Sequence, residues 1–315
     1  MPLPPEKVGL SKQFTGCAGD LWDADPITKN SPKITPSQLE KRLDIIFRAL
    51  INASDPAQLT RLLPIFIFGP PGIGKSQIVE SLAKKYHVNV ETYIASTMDP
   101  TQIQGMPYPN VQRKTTQWYP DERFMDEEKR TKVYFFDELN MAPSTTQSAF
   151  YRLILEGRLG SIDITHALRI GAGNRVSDFQ GVTQMGLPLA NRFEIYLIEP
   201  NIDDWIKWAK ANNLNRYVIE YAEYARDTEP NPDYRYKPQR WYCINPTEPA
   251  LGRATPRSWE RVSKLINLGL DTKEDFIGSL GVAVGVVFNE WYRAKKEEEK
   301  GNKSASLEYD LGGNL

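Results

Sequence analysis

Three stretches of this 315-residue chain carry residue types suited to phosphate chemistry. The first is Gly69, Pro70, Pro71, Gly72, Ile73, Gly74, Lys75, Ser76, a full match to the GxxxxGK[ST] pattern, followed by Gln77. Glycines at those positions let the backbone turn successive N–H groups toward phosphate oxygens. Lys75 is spaced to reach β- and γ-phosphates, and the Ser76 hydroxyl to ligate Mg2+. The second is Asp137-Glu138, directly after the apolar run Val133 to Phe136. Asp137 suits a Mg2+ shell, usually through water, and Glu138 is placed to polarise the water that attacks a γ-phosphate. The third is Asn174, at the end of the run RIGAGN. A short amide there can orient the same water or touch the γ-phosphate, although a turn asparagine explains it equally well when taken alone.

The surrounding elements decide whether these residues meet. Ile65 to Phe68 is too short for a helix and rich in β-favouring types, so it reads as a buried strand. Gln77 to Tyr86 has apolar residues at helical spacing, which puts the glycine loop between a strand and a helix whose positive dipole end faces it. Further strands are expected at 88–94, 133–136, 168–172 and 193–198, with helices at 36–52 and 144–155 and a helical turn at 187–192. That order predicts an α/β fold with a parallel five-stranded sheet flanked by helices. Asp137 and Glu138 then stand at the carboxyl end of a strand, where such sheets place ligand chemistry.

Only helices are evident beyond the sheet, at 203–211, 215–226, 256–268 and 272–295, so a smaller all-α domain follows. The expected division is an irregular N-terminal extension at 1–35, in which Phe14, Leu21 and Trp22 are the packing candidates, an α/β domain at 36–200, a helical domain at 201–295 and a fraying tail at 296–315. Asp99-Pro100 starts a short helix, and 106–120 reads as a hairpin-like insertion. Its Tyr108, Trp118 and Tyr119 are expected to pack against the domain rather than face a substrate. Gly157 to Gly160 reads as a turn, 161–172 as a hairpin whose second strand joins the sheet, and the proline-rich 227–251 as a long loop.

Composition excludes several classes. Hydrophobic residues make up 40% and charged residues 25%, the balance of an ordinary globular protein. A net charge of −1 gives no global basic field to announce nucleic acid. Two histidines and the distant Cys17 and Cys243 match no catalytic zinc or redox spacing. No apolar run reaches membrane-spanning length, and MPLPPEKVGL lacks a signal-peptide core, so a reducing, cytoplasmic setting is expected.

The run from Phe136 to Pro143 (FDELNMAP), with Thr146 to Phe150 (TQSAF) and Leu155 to Arg158 (LEGR), resembles the Walker B region of AAA+ ATPases of the MoxR branch. That helix-2-insert clade includes the CbbQ/NorQ and GvpN proteins, McrB, and the dynein and midasin motors. The resemblance covers about residues 40–270. It implies an AAA+ core with a lid domain and ATP hydrolysis with Mg2+. It further implies a homo-oligomeric ring, expected as a hexamer, and a protein partner that is remodelled, with a von Willebrand A-type domain as the expected kind. Residue by residue, Asn174 resembles sensor 1, Arg192 in LANRF the arginine finger that completes a neighbour's site, and Arg257 in ATPRS the nucleotide-contacting sensor 2. Arg158 is a further interface candidate. The insertion at 99–121 matches the helix-2 insert, and 161–168 the pre-sensor 1 hairpin. Guanidinium groups suit such roles because they stabilise phosphoryl charge through planar, bidentate contacts.

Two other classes stay open at this stage. A nucleic-acid-associated loader or translocase, with a McrB-like use of GTP in place of ATP as one form of it, is disfavoured by the near-zero charge. A small-molecule kinase on the same loop is disfavoured by the adjacent Asp137-Glu138 pair.

Overall fold

The computed structural model describes residues 27–28, 31–55, 64–125, 131–160, 162–175, 185, 191, 193–228, 241–244 and 252–311, with side chains to residue 301. Phe14, Leu21, Trp22, the 187–190 part of the helical turn, Arg192 and most of 227–251 lie outside the described residues. The chain divides into two compact units: Leu21–Asn201, and one containing Ile202–Leu315.

The first unit is built on a parallel sheet. Its strands run, edge to edge, β1 (Lys33–Ile34), β10 (Glu194–Ile198), β2 (Ile65–Phe68), β9 (Leu168–Gly173), β6 (Lys132–Asp137) and β3 (Asn89–Ile94), with every neighbouring pair parallel. The sheet has six strands where the sequence predicts five. The added strand, β1, has only two residues, Lys33 and Ile34, opposite Leu197 and Ile198. Two residues carry no readable periodicity, so the sequence alone leaves them within the irregular extension.

Alternation along each strand sorts the core into two layers. Ile65 and Ile67 of β2, Val133 and Phe135 of β6, and Leu168, Ile170 and Ala172 of β9 pack with helices α1 (Pro36–Asn52) and α2 (Lys75–Tyr86). Phe66, Phe68, Tyr134 and Phe136 face the other way, onto α4 (Ser144–Glu156) through Ala149, Phe150, Leu153 and Ile154. The α1 start is fixed by a capping box in which the Thr35 hydroxyl and the Gln38 side chain each satisfy the other's backbone N–H, with Pro36 at the first position.

Asp99 caps the short α3 (Pro100–Gln104), as expected, and β4 (Met106–Asn110) pairs antiparallel with β5 (Thr115–Tyr119). The insertion's rings do not pack on the domain: Tyr108 is 58% exposed, Trp118 47% and Tyr119 51%. Tyr108 and Tyr119 meet each other instead, edge to face, at 5.6 Å. The small hairpin is also displaced from its expected place. It is β7 (Arg158–Leu159) with β8 (Ile162–Asp163), so part of the expected 157–160 turn is strand, and β9 pairs only within the large sheet.

Among its described residues the second unit is helical apart from one pairing, β11 (Cys243–Ile244) with β12 (Arg253–Ala254). Helices α5 (Ile202–Ala211), α6 (Arg216–Thr228), α7 (Pro256–Asn267), α8 (Lys273–Leu280) and α9 (Val282–Leu311) surround an aromatic core of Trp205, Tyr221, Trp259, Phe276, Phe288 and Tyr292. The expected single helix at 272–295 is two helices, broken at Gly281, whose φ of 80° ends α8. Helix α9 continues to Leu311, past the expected tail boundary, through a Lys/Glu run that favours helix. Among the described residues no helix is long and apolar enough to cross a membrane.

Helices α8 and α9 make a paired stability prediction. A Cβ on Gly285 would lie 2.7 Å from Ile277 Cα, a backbone atom that cannot step aside, whereas a Cβ on Gly278, inside α8, meets nothing within 4 Å. Chemical denaturation should therefore show Gly285→Ala losing about 1–3 kcal/mol by overpacking. Gly278→Ala, seven positions away in the neighbouring helix, should gain about 1 kcal/mol from helix propensity.

Candidate active site

Strands β2, β9 and β6 are neighbours in one parallel sheet, so the residues that leave them emerge side by side at its carboxyl edge. The loop 69–74 follows β2, Asn174 follows β9, and Asp137 ends β6. The topology thus brings together the three stretches singled out by their chemistry.

The loop continues the sheet before it turns. Gly69 N–H donates to the Gly173 carbonyl at 3.2 Å, which carries the β2–β9 ladder one residue past Phe68. Gly74 then takes a φ of 98°, a region L side chains rarely enter, and serves as the N-cap of α2. No side chain caps that helix, so its first N–H groups are left to whatever occupies the loop. Ile73 is buried in the α1–α2 layer and fastens the loop to the core; Pro71, Gly72 and Ser76 are half-buried, and Gln77 is exposed. Lys75 is buried, and its Nζ donates to Gly69 O at 2.8 Å, Pro70 O at 3.2 Å and Asn174 Oδ1 at 3.1 Å.

Across the edge, Asp137 and Glu138 are both half-buried. Glu138 has a left-handed backbone, φ 55° and ψ 30°, and its N–H donates to Asp137 Oδ1 at 2.8 Å. Its carboxylate accepts a 2.6 Å hydrogen bond from Ser96 Oγ, on the 3-10 turn after β3. Two positions on, Asn140 is almost fully buried and bonds the backbone of Asn174 at both ends. Its Nδ2 donates to Asn174 O at 2.6 Å, and its Oδ1 accepts from Asn174 N–H at 3.1 Å. Asn174 Nδ2 turns toward Met141 Sδ at 3.3 Å, which leaves Oδ1 for Lys75. The resulting chain, Lys75 to Asn174 to Asn140, links the glycine loop to the acidic turn.

Sequence reasoning passed over Asn140 and Ser96. Asn140 did carry a signal. It lies in the DELN run directly after the apolar Leu139, and a buried asparagine needs partners. Ser96 carried none, because its contact with Glu138 depends on β3 lying beside β6. The arginines are placed unevenly. Arg158 is exposed on β7 and paired with Asp163 at 3.2 Å. Arg257 belongs to the second unit, exposed on the first turn of α7 after the Thr255 cap.

The donor set fits a nucleoside triphosphate with a hard cation. It offers uncapped helix amides, a buried ammonium, one hydroxyl and two carboxylates. Among the described residues no group of three or more His, Cys, Asp or Glu side chains converges on a metal position. A cation here would take ligands from Ser76, Asp137, phosphate and water, the pattern Mg2+ prefers.

Comparison with known proteins agrees with this chemistry. Residues 64–193 match the profile of the AAA domain, dynein-related subfamily, so that segment is similar to the nucleotide-binding domain of AAA+ ATPases. Over 203 residues the chain is 22% identical to the Holliday junction branch migration complex subunit RuvB of Staphylococcus haemolyticus (strain JCSC1435), covering 60% of this chain. The chain spans about half the length (50%) of that relative. Among solved structures, the RuvB branch migration motor of Thermotoga maritima aligns with a TM-score of 0.45 and 14% identity, over 82% of this chain and 68% of that one. A putative ATPase from Cytophaga hutchinsonii aligns at 0.32 and 16%, over 73% and 63%.

The asparagine clamp makes a stability prediction. A Cβ on Gly173 would collide with the Asn140 amide, its Oδ1 and Cγ being the nearest atoms. Asn140→Ala should cost about 1–3 kcal/mol, because it strands the buried N–H and C=O of Asn174. Gly173→Ala should cost a similar amount alone, but markedly less in the Asn140→Ala background, where the new methyl has room. Additive losses in a denaturation double-mutant cycle would contradict the clamp.

Proposed function

We propose that this chain is an ATP-hydrolysing AAA+ motor that works in the cytoplasm as a homo-oligomeric ring, a hexamer, and remodels a protein partner. The observation that carries the ATPase reading is the Lys75–Asn174–Asn140 chain beside Asp137 and Glu138. Asn174 holds the loop lysine through its side chain, and through its backbone it is held by Asn140, two positions past Glu138.

Each residue then has a task. The backbone from Gly69 to Gly74, with Gln77 at the helix start, wraps the phosphates, and Lys75 neutralises the outer ones. Asn174 holds the Lys75 ammonium and orients the attacking water. Glu138 takes the proton of that water. When bound, Mg2+ would neutralise charge on the transferring phosphate, with Ser76 and Asp137 as the residues that would hold it. Arg192 is assigned to the site of a neighbouring subunit and Arg257 to the nucleotide of its own, both on their resemblance to family positions.

The protein-remodelling part rests on the MoxR-like DELNMAP run, and a partner with a von Willebrand A-type domain is the expected kind. A nucleic-acid motor is the second reading, supported by the sequence likeness to RuvB, a protein named for its role at Holliday junctions. DNA-stimulated turnover would favour that reading; turnover indifferent to DNA favours a protein substrate.

Two measurements test the mechanism. Glu138→Gln should keep ATP binding and lose turnover by about 10²–10⁴-fold, the usual worth of a general base, while Lys75→Ala should lose binding. A wild-type protein that binds no nucleotide would end the proposal. Glu138→Gln and Arg192→Ala should each be inactive alone, yet regain turnover when mixed, because mixed rings contain interfaces with an intact glutamate opposite an intact arginine. Mixtures that stay inactive would place Arg192 elsewhere.

A further inference from the structure

The β4–β5 ribbon gathers several exposed apolar side chains of the first unit on one short hairpin. Met106, Tyr108, Val111, Trp118 and Tyr119 are all exposed, and no residue of β5 is buried. Neither strand pairs with a third among the described residues. Exposed apolar clusters of this kind mark interaction sites.

The two edges of the ribbon differ chemically. The register sets Pro107 opposite Trp118 and Pro109 opposite Thr116. Residues in an antiparallel pair alternate between exchanging main-chain hydrogen bonds with the partner and pointing those groups outward. Proline has no N–H to exchange, so these two pairs take the outward positions. On the β4 side, the outward edge therefore lacks both N–H donors, which blunts it against further strands. On the β5 side, Thr116 and Trp118 present intact N–H and C=O groups on an edge that no described strand covers.

Charge narrows the occupant. The connecting turn carries Arg113 and Lys114, both exposed, and no carboxylate occurs between Met106 and Pro120. At the foot of the ribbon, Asp121 is taken by Arg123 at 2.6 Å, and this guanidinium holds its carboxyl below the usual carboxylate range. Among the described residues no carboxylate pairs with Arg113 or Lys114, so the tip presents positive charge beside an open strand edge. We propose that the outer edge of β5 docks an extended, acidic segment of the partner protein, which adds a third strand through Thr116 and Trp118 and sets its carboxylates toward Arg113 and Lys114. This rests on the protein-partner part of the proposed function. A nucleic acid would use the exposed rings and the positive tip but has no main-chain N–H and C=O pattern to match the open edge.

The test measures binding to the full chain without nucleotide, so that failure here leaves the ATPase reading untouched and loss of ATPase leaves docking measurable. The probes are a fluorescein-labelled peptide of alternating glutamate and valine, its lysine–valine counterpart and a labelled thymidine oligomer, read by fluorescence anisotropy. The acidic peptide should bind and the basic one should not. Thr116→Pro removes one outward N–H and should weaken binding up to about tenfold, the worth of a main-chain hydrogen bond. The double variant Arg113→Glu/Lys114→Glu leaves the ladder intact and should abolish the preference for the acidic peptide. Unchanged ATP turnover in both variants would show that they fold. Equal binding of both peptides, preference for the thymidine oligomer, or a concentration-dependent self-association lost in Thr116→Pro without any peptide binding would each overturn the proposal.

Discussion

A buried ammonium group is the constraint on which the first unit depends. Lys75 Nζ lies at a residue exposure of 8%, against the carbonyls of Gly69 and Pro70 and the amide oxygen of Asn174. A charge taken from water costs several kcal/mol unless its hydrogen bonds are replaced in good geometry. The replacements come from the glycine loop and from Asn174, 99 residues beyond Lys75 in sequence, and they meet because β2 and β9 are adjacent and in register, Phe68 opposite Gly173. A shift of one residue would turn every side chain of β9 to the opposite face and withdraw Asn174. The alternating core therefore fixes the site by fixing that register.

β9 shows how packing and chemistry share one strand. Leu168, Ile170 and Ala172 are buried in the layer beneath α1 and α2. The positions between them toward the carboxyl end, Gly171 and Gly173, face the other layer, where a methyl group would strike Phe66 or Asn140. Bare backbone there admits a large aromatic ring and a buried polar side chain side by side. Glycine in a strand weakens it through entropy and lost packing. Here that weakness is offset by two hydrogen bonds between the Asn140 side chain and the Asn174 backbone, one donated and one accepted, which also fix Asn174. Stability and site geometry are thus set by the same contact.

The sequence was legible where information is local. The glycine loop, the apolar strands around it, the Asp137-Glu138 pair and the capped starts at Thr35 and Asp99 all follow from neighbours in the chain. What escaped depends on distant neighbours. The partner of Asn140 is set only when β9 lies beside β6, whatever the DELN run suggests of its burial, and Ser96 is ordinary until β3 does. β1 is two residues of edge strand, recognisable only by its partner β10. The break at Gly281 was masked by apolar periodicity that continues on both sides of it. The rings of Tyr108, Trp118 and Tyr119 look like core material by type, and only the ribbon's outward course makes them exposed. Arg257 is placed by its Thr255 cap in a different unit from the loop it was expected to serve, a relation no local pattern encodes.

Glu138 shows why the acidic turn takes a costly shape. A left-handed backbone costs a residue other than glycine roughly 1–2 kcal/mol, and such conformations persist where the surroundings over-determine them. Three contacts do so here. The Glu138 N–H is held by Asp137, its carboxylate by Ser96, and the next residue, Leu139, is sunk fully in the core. One reversal of the chain thereby sends three successive side chains in three directions. Glu138 stays half-buried at the carboxyl edge, Leu139 enters the apolar layer, and Asn140 reaches Asn174. A regular strand would alternate between two faces and a helix would step by about 100°. Either would separate the acidic side chain from the amide that positions Lys75, so the strain at Glu138 is what lets one short turn serve both halves of the site.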